Sequence, residues 1–178
     1  MPEEIFEVFN DHNGKIGEAP RSEVHQKGLY HRAVNVFVVD LNGYIFLQKR
    51  SQKKDTSPGC WCYGAGEHLK PGESYLEGAK RGLKEELGVS GVRLVRIRGS
   101  KLIHVEHENG LIDNEFDELY VAFSNGPFKL DQEEGRIWHR FGSMDEFQTI
   151  LHLEGPKTVA HLSTKTLPLE KSIVTSDS

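Results

Sequence analysis

Apolar and polar residues alternate through "EIFEVFNDHNGKIGEAP" on both sides of Asn13-Gly14, the pattern of a small hairpin closed by a tight turn. "RAVNVFVVDLNGYIFLQKR" repeats that logic around Asn42-Gly43, with strands expected at about Ala33 to Val39 and Tyr44 to Gln48. The first of these is apolar enough to predict a central strand covered on both faces. A short helix or turn is expected near Arg21 to Gln26, and Trp61 opens another short strand after the polar loop "SQKKDTSPG". "VRLVRIRGSKLIHV" and "FDELYVAF" alternate like strands, while "GSMDEFQTILHL" spaces Met144, Phe147, Ile150 and Leu151 as a helix behind a Ser143 cap. Beyond Gly155 apolar residues thin out, and "IVTSDS" reads as a frayed tail. Strands and helices mixed without regular alternation predict an α+β domain built on a mixed sheet.

One helix is specified in more detail. Ser74 followed by Glu77 forms a capping box, Pro71 and Gly72 precede it, and Gly88 stands where a helix stops, so a helix is expected from about Ser74 to Leu87. Steps of 100° put Leu76, Ala79, Leu83 and Leu87 in one core-facing stripe, with Glu86 beside it and Glu85 further away. A carboxylate at the edge of a buried stripe is costly unless paired or bound to a cation. Two acids at a helix C-terminus also oppose the macrodipole, at about 0.3 to 1 kcal/mol each, and a hard divalent cation shared with substrate phosphates would ease both costs. Gly78 and Gly82 cost about 1 kcal/mol each against alanine. Either a ligand or a backbone lies close to the helix there, or nothing selects against them.

Composition narrows the field. A chain of 178 residues suits one domain, and a net charge of -5 without a Lys/Arg run argues against a nucleic-acid partner. The expected divisions are an N-terminal hairpin and short helix at 1–30 within the same domain, the main domain at 31–155 and an extension at 156–178. Cys60 and Cys62, two apart, point to opposite faces of an extended strand and disfavour a mutual disulfide, which fits a reducing compartment. "MPEEIFEV" has no apolar signal core and no stretch approaches membrane-spanning length, so a cytoplasmic protein without a membrane partner is expected.

The segment from Glu67 to Val89 resembles the box of the Nudix hydrolases, which reads Gly, five residues, Glu, seven residues, Arg-Glu-aliphatic-any-Glu-Glu-any-Gly-aliphatic. Glu73, Arg81, Leu83, Glu85, Glu86, Gly88 and Val89 match, and two positions depart. Glu67 replaces the first glycine, which turns the loop and offers a carbonyl to the metal, although Gly66 stands beside it. Gly82 replaces the first glutamate after the arginine, a metal ligand and assigned general base in many members. The resemblance implies a Nudix fold, a mixed β-sheet packed between helices in an α/β/α sandwich. It also implies Mg²⁺- or Mn²⁺-dependent hydrolysis of a diphosphate linkage in a compound of the type nucleoside diphosphate linked to X. Glu85 and Glu86 are the candidate catalytic and metal-binding residues, with Glu115 as a further ligand, and Glu73, Arg81 and Gly88 are structural members of the box.

Similarity extends over about Ile5 to Phe147 to the isopentenyl-diphosphate isomerase-like branch, through "RSEVHQKGLYHRAV", "LQKRSQKKDTSPGCW" and "IDNEFDELYVAF". In the isomerase, residues at the positions of His25 (with a one-residue gap), His31, His68, Asp113 and Glu115 build a metal site, and Arg50 and Lys54 correspond to residues that hold the diphosphate. Arg50, Lys54 and His68 are therefore the candidate substrate-binding residues. Asp113, Glu115 and Asp117 share a face by strand parity, and Glu133 and Glu134 are loop acids that could supply a missing base. Gly66 occupies the position of the isomerase's acid/base cysteine, and Cys62 lies four residues earlier, which disfavours isomerisation. The alternatives are a diphosphate-binding module without chemistry and an isomerase-like enzyme. The expected partner is a small-molecule diphosphate, and a homodimer is left open.

Overall fold

The computed structural model describes residues 2–49, 52–53, 58–59, 61–129 and 137–141. Arg50, Lys54, Glu133, Glu134 and the helix expected at 142–153 lie outside them. Among the described residues nine strands form one mixed sheet: β1 (Ile5–Phe9), β2 (Lys15–Pro20), β3 (Tyr30–Val39), β4 (Ile45–Lys49), β5 (Trp61–Cys62), β6 (Ala65–His68), β7 (Leu94–Glu106), β8 (Ile112–Phe123) and β9 (Ile137–Phe141). The helices among the described residues are α1 (Arg21–Lys27) and α2 (Tyr75–Leu87). Neither helix is long and apolar enough to cross a membrane.

Strand β3 is the centre. It pairs parallel with β8 along its whole length, from Tyr30↔Asn114 to Val39↔Phe123, and antiparallel with β4, with β6 and, at Phe9↔Tyr30, with β1. The N-terminal hairpin thus joins the same sheet. The alternation of β3 sends Val34, Val36 and Val38 into a core with Leu83 and Leu87 of α2, and Phe37 and Val39 into a second core with Leu47, Leu119 and Val121. That two-sided burial explains its near-continuous apolar run. The single strand expected from Trp61 is instead two, because the chain crosses from β4 to β3 at Gly64. A Cβ there would stand 2.6 Å from Val38 Cγ2.

Helix α2 starts at Ser74, whose hydroxyl accepts from the Glu77 amide while Glu77 answers to the Ser74 amide, and it ends at Gly88 with φ 68°. Its buried face differs from the expected stripe. Ala79, Leu83 and Leu87 are buried, but Leu76 is 41% exposed, and Gly78 and Gly82 are buried instead. The contact face is rotated toward the glycines because the sheet comes too close there for a side chain. A Cβ on Gly78 would lie 2.5 Å from Leu69 Cδ2 and 3.3 Å from Val34 Cγ1. Gly78→Ala is therefore expected to lower stability by about 1 kcal/mol net, overpacking at about 1–3 kcal/mol outweighing the helix-propensity gain of about 1 kcal/mol. An unchanged or raised urea midpoint would contradict the close approach. Loss of the capping hydroxyl in Ser74→Ala is expected to cost about 1 kcal/mol in the same titration.

Candidate active site

Strand β6 carries the site because successive side chains leave a strand on opposite faces. Ala65 joins the core under α2, and Glu67 follows it onto that face. Gly66 and His68 face the other way, alongside Asn35 and Ala33. Two centres result, one on each face.

On the face away from α2, five side chains converge: His25 from α1, His31 from β3, His68 from β6, and Asp113 and Glu115 from β8. Ligand atoms of His25, His31 and His68 all lie within 4.8 Å of one another, as do those of His31, Asp113 and Glu115. Parallel pairing of β3 with β8 sets His31 opposite Glu115. His25 Nε2 stands 3.1 Å from Asp113 Oδ1, and Glu115 Oε1 lies 3.1 Å from His68 Nε2 and 3.7 Å from His31 Nε2. The far nitrogens are held by the backbone: His25 Nδ1 lies 2.7 Å from Arg21 O and His31 Nδ1 lies 3.0 Å from Leu29 O. A carbonyl only accepts, so each Nδ1 carries its proton and each ring aims Nε2 inward, an arrangement typical of metal-ligating histidines. His31 Nε2 and Asp113 Oδ1 are buried with no aligned hydrogen bond.

Burial pushes the His25 imidazole down, but Asp113 and the Arg21 carbonyl outweigh it and hold it above its ordinary value. His68 lies below its own, pushed down by burial and by the neighbouring histidines despite Glu115. Burial pushes Asp113 up, yet His25 and His107, whose Nε2 is 2.7 Å from Asp113 Oδ2, hold it below the usual carboxylate range. Inward-facing nitrogens, carboxylates and the buried His31 Nε2, which has no aligned hydrogen bond, fit a divalent cation. The mixed imidazole and carboxylate set suits a transition ion such as Mn²⁺ better than Mg²⁺, which takes oxygen ligands.

On the α2 face Arg81 organises the acids. Its Nε and Nη2 bind the two Glu73 oxygens at 2.8 and 3.0 Å, and Nη2 also donates to the His68 carbonyl at 2.8 Å. Nη1 donates to Glu67 Oε2 at 2.7 Å and to Glu85 Oε2 at 3.2 Å. Burial raises Glu73, but Arg81 and the Lys70 amide more than offset this and hold it below the usual range. At Glu67 desolvation wins: burial first, then the charge of Glu86, push its carboxyl up to about 7 against the pull of Arg81. Glu86 is anchored inward, Oε1 accepting from the Gly66 amide at 2.9 Å and Oε2 from Gln48 Nε2 at 2.8 Å. Glu85 is half-exposed, with Lys70 Nζ 3.8 Å away.

The candidate residues thus fall into separate groups. Glu85 and Glu86 sit together on α2 but point apart, and Glu115 lies across the sheet with the histidines. His68 belongs to that imidazole group. Gly88 caps α2, its amide donating to the Leu83 and Lys84 carbonyls.

Sequence reasoning missed Gln48 and His107, which carry no pattern of their own. It also missed a buried network in which Asp117 accepts from Asn35 Nδ2 at 2.9 Å and pairs with Arg98 Nη2. Burial and then Glu115 push Asp117 up to about 8. Parity predicted the face of Asp117, but register shifts in β7 on either side of Arg98 decide what it meets.

Residues 29–162 match the NUDIX domain family. The chain is 35% identical over 131 residues to the isopentenyl-diphosphate Delta-isomerase of Streptomyces avermitilis, a match covering 73% of this chain and 66% of that protein. It is 33% identical over 172 residues to Nudix hydrolase 3 of Arabidopsis thaliana, which covers 90% of this chain and 22% of the plant protein. Among solved structures, DR0079 from Deinococcus radiodurans has a TM-score of 0.66 over 84% of this chain and 90% of its own, at 16% identity, a likeness of fold.

Proposed function

Because this chain belongs to the NUDIX domain family, we propose that it is a Mg²⁺- or Mn²⁺-dependent hydrolase that cleaves the diphosphate linkage of a nucleoside diphosphate bonded to a second moiety. The observation that carries this reading is the box helix. Arg81 gathers Glu67, Glu73 and Glu85 at one end of β6, and Glu86 is held inward beside them.

Glu86 would hold an oxygen-preferring cation, joined by Glu85 only if its half-exposed side chain leaves Arg81 and Lys70, and His25, His31, His68, Asp113 and Glu115 would hold a nitrogen-accepting one. A cation bound at such a site supplies charge stabilisation for the diphosphate and a water made acidic enough to attack at neutral pH. Among the chain's own groups, Glu86, held inward by the Gly66 amide and Gln48, would be the carboxylate to accept a proton. Arg50 and Lys54 are proposed to orient the diphosphate, since guanidinium and ammonium groups pair with phosphate oxygens.

The names of several relatives raise isomerisation as the rival. Gly66 speaks against it, since it stands where the isomerase has its cysteine, and a Cβ there would lie 2.7 Å from Asn35 Oδ1, so that side chain would have to shift to admit one. Cys62 Sγ lies 3.5 Å from the Gln48 carbonyl, and among the described residues no cysteine joins the imidazole group.

The test incubates the protein with Mg²⁺ or Mn²⁺ and a panel of nucleoside-diphosphate conjugates and prenyl diphosphates, reading products by mass. Metal-dependent release of a nucleoside monophosphate is expected. Tight binding of a panel compound without release would replace this reading with a binding module. Deuterium exchange into a prenyl diphosphate would replace it with isomerisation.

A further inference from the structure

The turn between β7 and β8 opens on a residue that reaches back to the imidazole group. Val105 stands opposite Asp113 in this pair, so by parity His107, two residues on, shares the face that carries Asp113 and Glu115. It meets Asp113 across the diagonal of the ladder, a separation that a ring can span. The turn fixes where that ring starts. The His107 amide donates to the Leu111 carbonyl at 2.8 Å, and its own carbonyl accepts from the Gly110 amide at 2.9 Å, with Gly110 at φ 82°.

His107 Nε2 lies 2.7 Å from Asp113 Oδ2, and both side chains are only 8% exposed. A carboxylate only accepts, so Nε2 carries the proton and donates it. With Oδ2 engaged in this way, Asp113 presents Oδ1 to His25 Nε2, 3.1 Å away. Asp113, His31 and Glu115 bring ligand atoms within 4.8 Å of one another, as do His25, His31 and His68, and His107 belongs to neither group. It stands one hydrogen bond behind them. Carboxylates that bind metals are commonly held in this way by a donor that does not itself touch the ion.

We propose that His107 is a positioning residue for the imidazole-group cation, its Nε2–H bond to Oδ2 fixing Asp113 so that the other oxygen is the one offered to the ion. This inference rests on the part of the proposed function that puts a nitrogen-accepting cation among His25, His31, His68, Asp113 and Glu115, and it adds a residue that is not one of the ligands.

The experiment measures Mn²⁺ binding to the full chain by calorimetry, and the melting temperature without metal, for the wild type, His107→Asn and His107→Gln. His31→Asn, measured in parallel, identifies the binding step that belongs to the imidazole group. His107→Asn keeps an amide but is too short to reach Oδ2, and it is expected to weaken that step by ~10–100-fold, the loss typical of an outer-shell partner. His107→Gln carries a donor at nearly the reach of Nε2 and is expected to recover most of that loss. A purely structural role would lower the metal-free melting temperature and leave Mn²⁺ affinity alone. That result, an equal loss of affinity in both variants, or a wild type with no step that His31→Asn removes, would overturn the proposal. Turnover on the panel substrates is scored separately. Turnover by wild type with unchanged Mn²⁺ affinity in His107→Asn would sink this inference and leave the hydrolase reading standing, whereas the expected affinity losses without turnover by wild type would do the reverse.

Discussion

Replacing Glu86 by glutamine is expected to lower metal-dependent turnover by about 10²–10⁴-fold, the range typical of losing a general base, while leaving the fold intact. The separation of the two effects follows from the neighbours of Glu86. One carboxylate oxygen accepts from the Gly66 amide and the other from Gln48 Nε2. A glutamine amide keeps the first bond with its carbonyl oxygen but turns a donor toward Gln48. Gln48 is almost fully buried, and its Oε1 has no hydrogen-bond partner, so a flip of the Gln48 amide presents that oxygen to the new donor and restores the pair. Melting of the variant within a degree or two of wild type, together with the loss of product release, would assign the effect to charge. Wild-type turnover in Glu86→Gln would exclude this carboxylate from the chemistry.

Arg81→Gln is expected to produce the largest loss of stability, about 3–5 kcal/mol, because removing one member of a buried charge network leaves the others uncompensated. Arg81 is 15% exposed, and its carboxylate partners Glu67 and Glu73 are 19% and 13% exposed, so solvent screens little of this. The deficit has a pH signature. Glu73 titrates below its ordinary value, so its pairing stabilises the wild type above about pH 4.5 and is lost as pH falls through the depressed value. Glu67 titrates near 7, so its ionisation costs stability as pH rises from 4.5 toward 7, a cost that Arg81 reduces. Both contributions make the gap between variant and wild type widen from acid to neutral pH. A urea titration series that finds a constant gap, or one below about 1 kcal/mol as for an exposed pair, would contradict the network.

Much of the architecture was legible because local chemistry and long-range pairing agree. Asn13-Gly14 and Asn42-Gly43 close the hairpins that alternation predicts, and the Ser74 capping box and Gly88 bound α2 within a residue of their expected positions. Prediction failed where tertiary closeness overrides a local pattern. Leu76 has the right angular position for the core, yet Gly78 and Gly82 decide which side of the helix the sheet can reach. At the candidate site, the box spacing singled out Arg81, Glu73 and Glu86, and the structure pairs Arg81 with Glu73 and turns Glu86 inward. The separation of Glu115 from Glu85 and Glu86 was hidden, because it depends on which face of β3 the parallel partner β8 presents at His31. Gln48 stood in the sequence as one more polar residue at the end of a strand, and only the approach of α2 gives it a partner.

Strand β6 joins neighbours that look in opposite directions. Glu67 and His68 share a peptide bond, and the carbonyl of His68 is itself gripped by Arg81 from the helix side. The guanidinium that gathers the acids on one wall therefore also fixes the backbone from which an imidazole is aimed on the other. A sheet is usually thought of as a partition, but here it works as an axle, and loosening the grip on one side would turn the ring on the far side out of true.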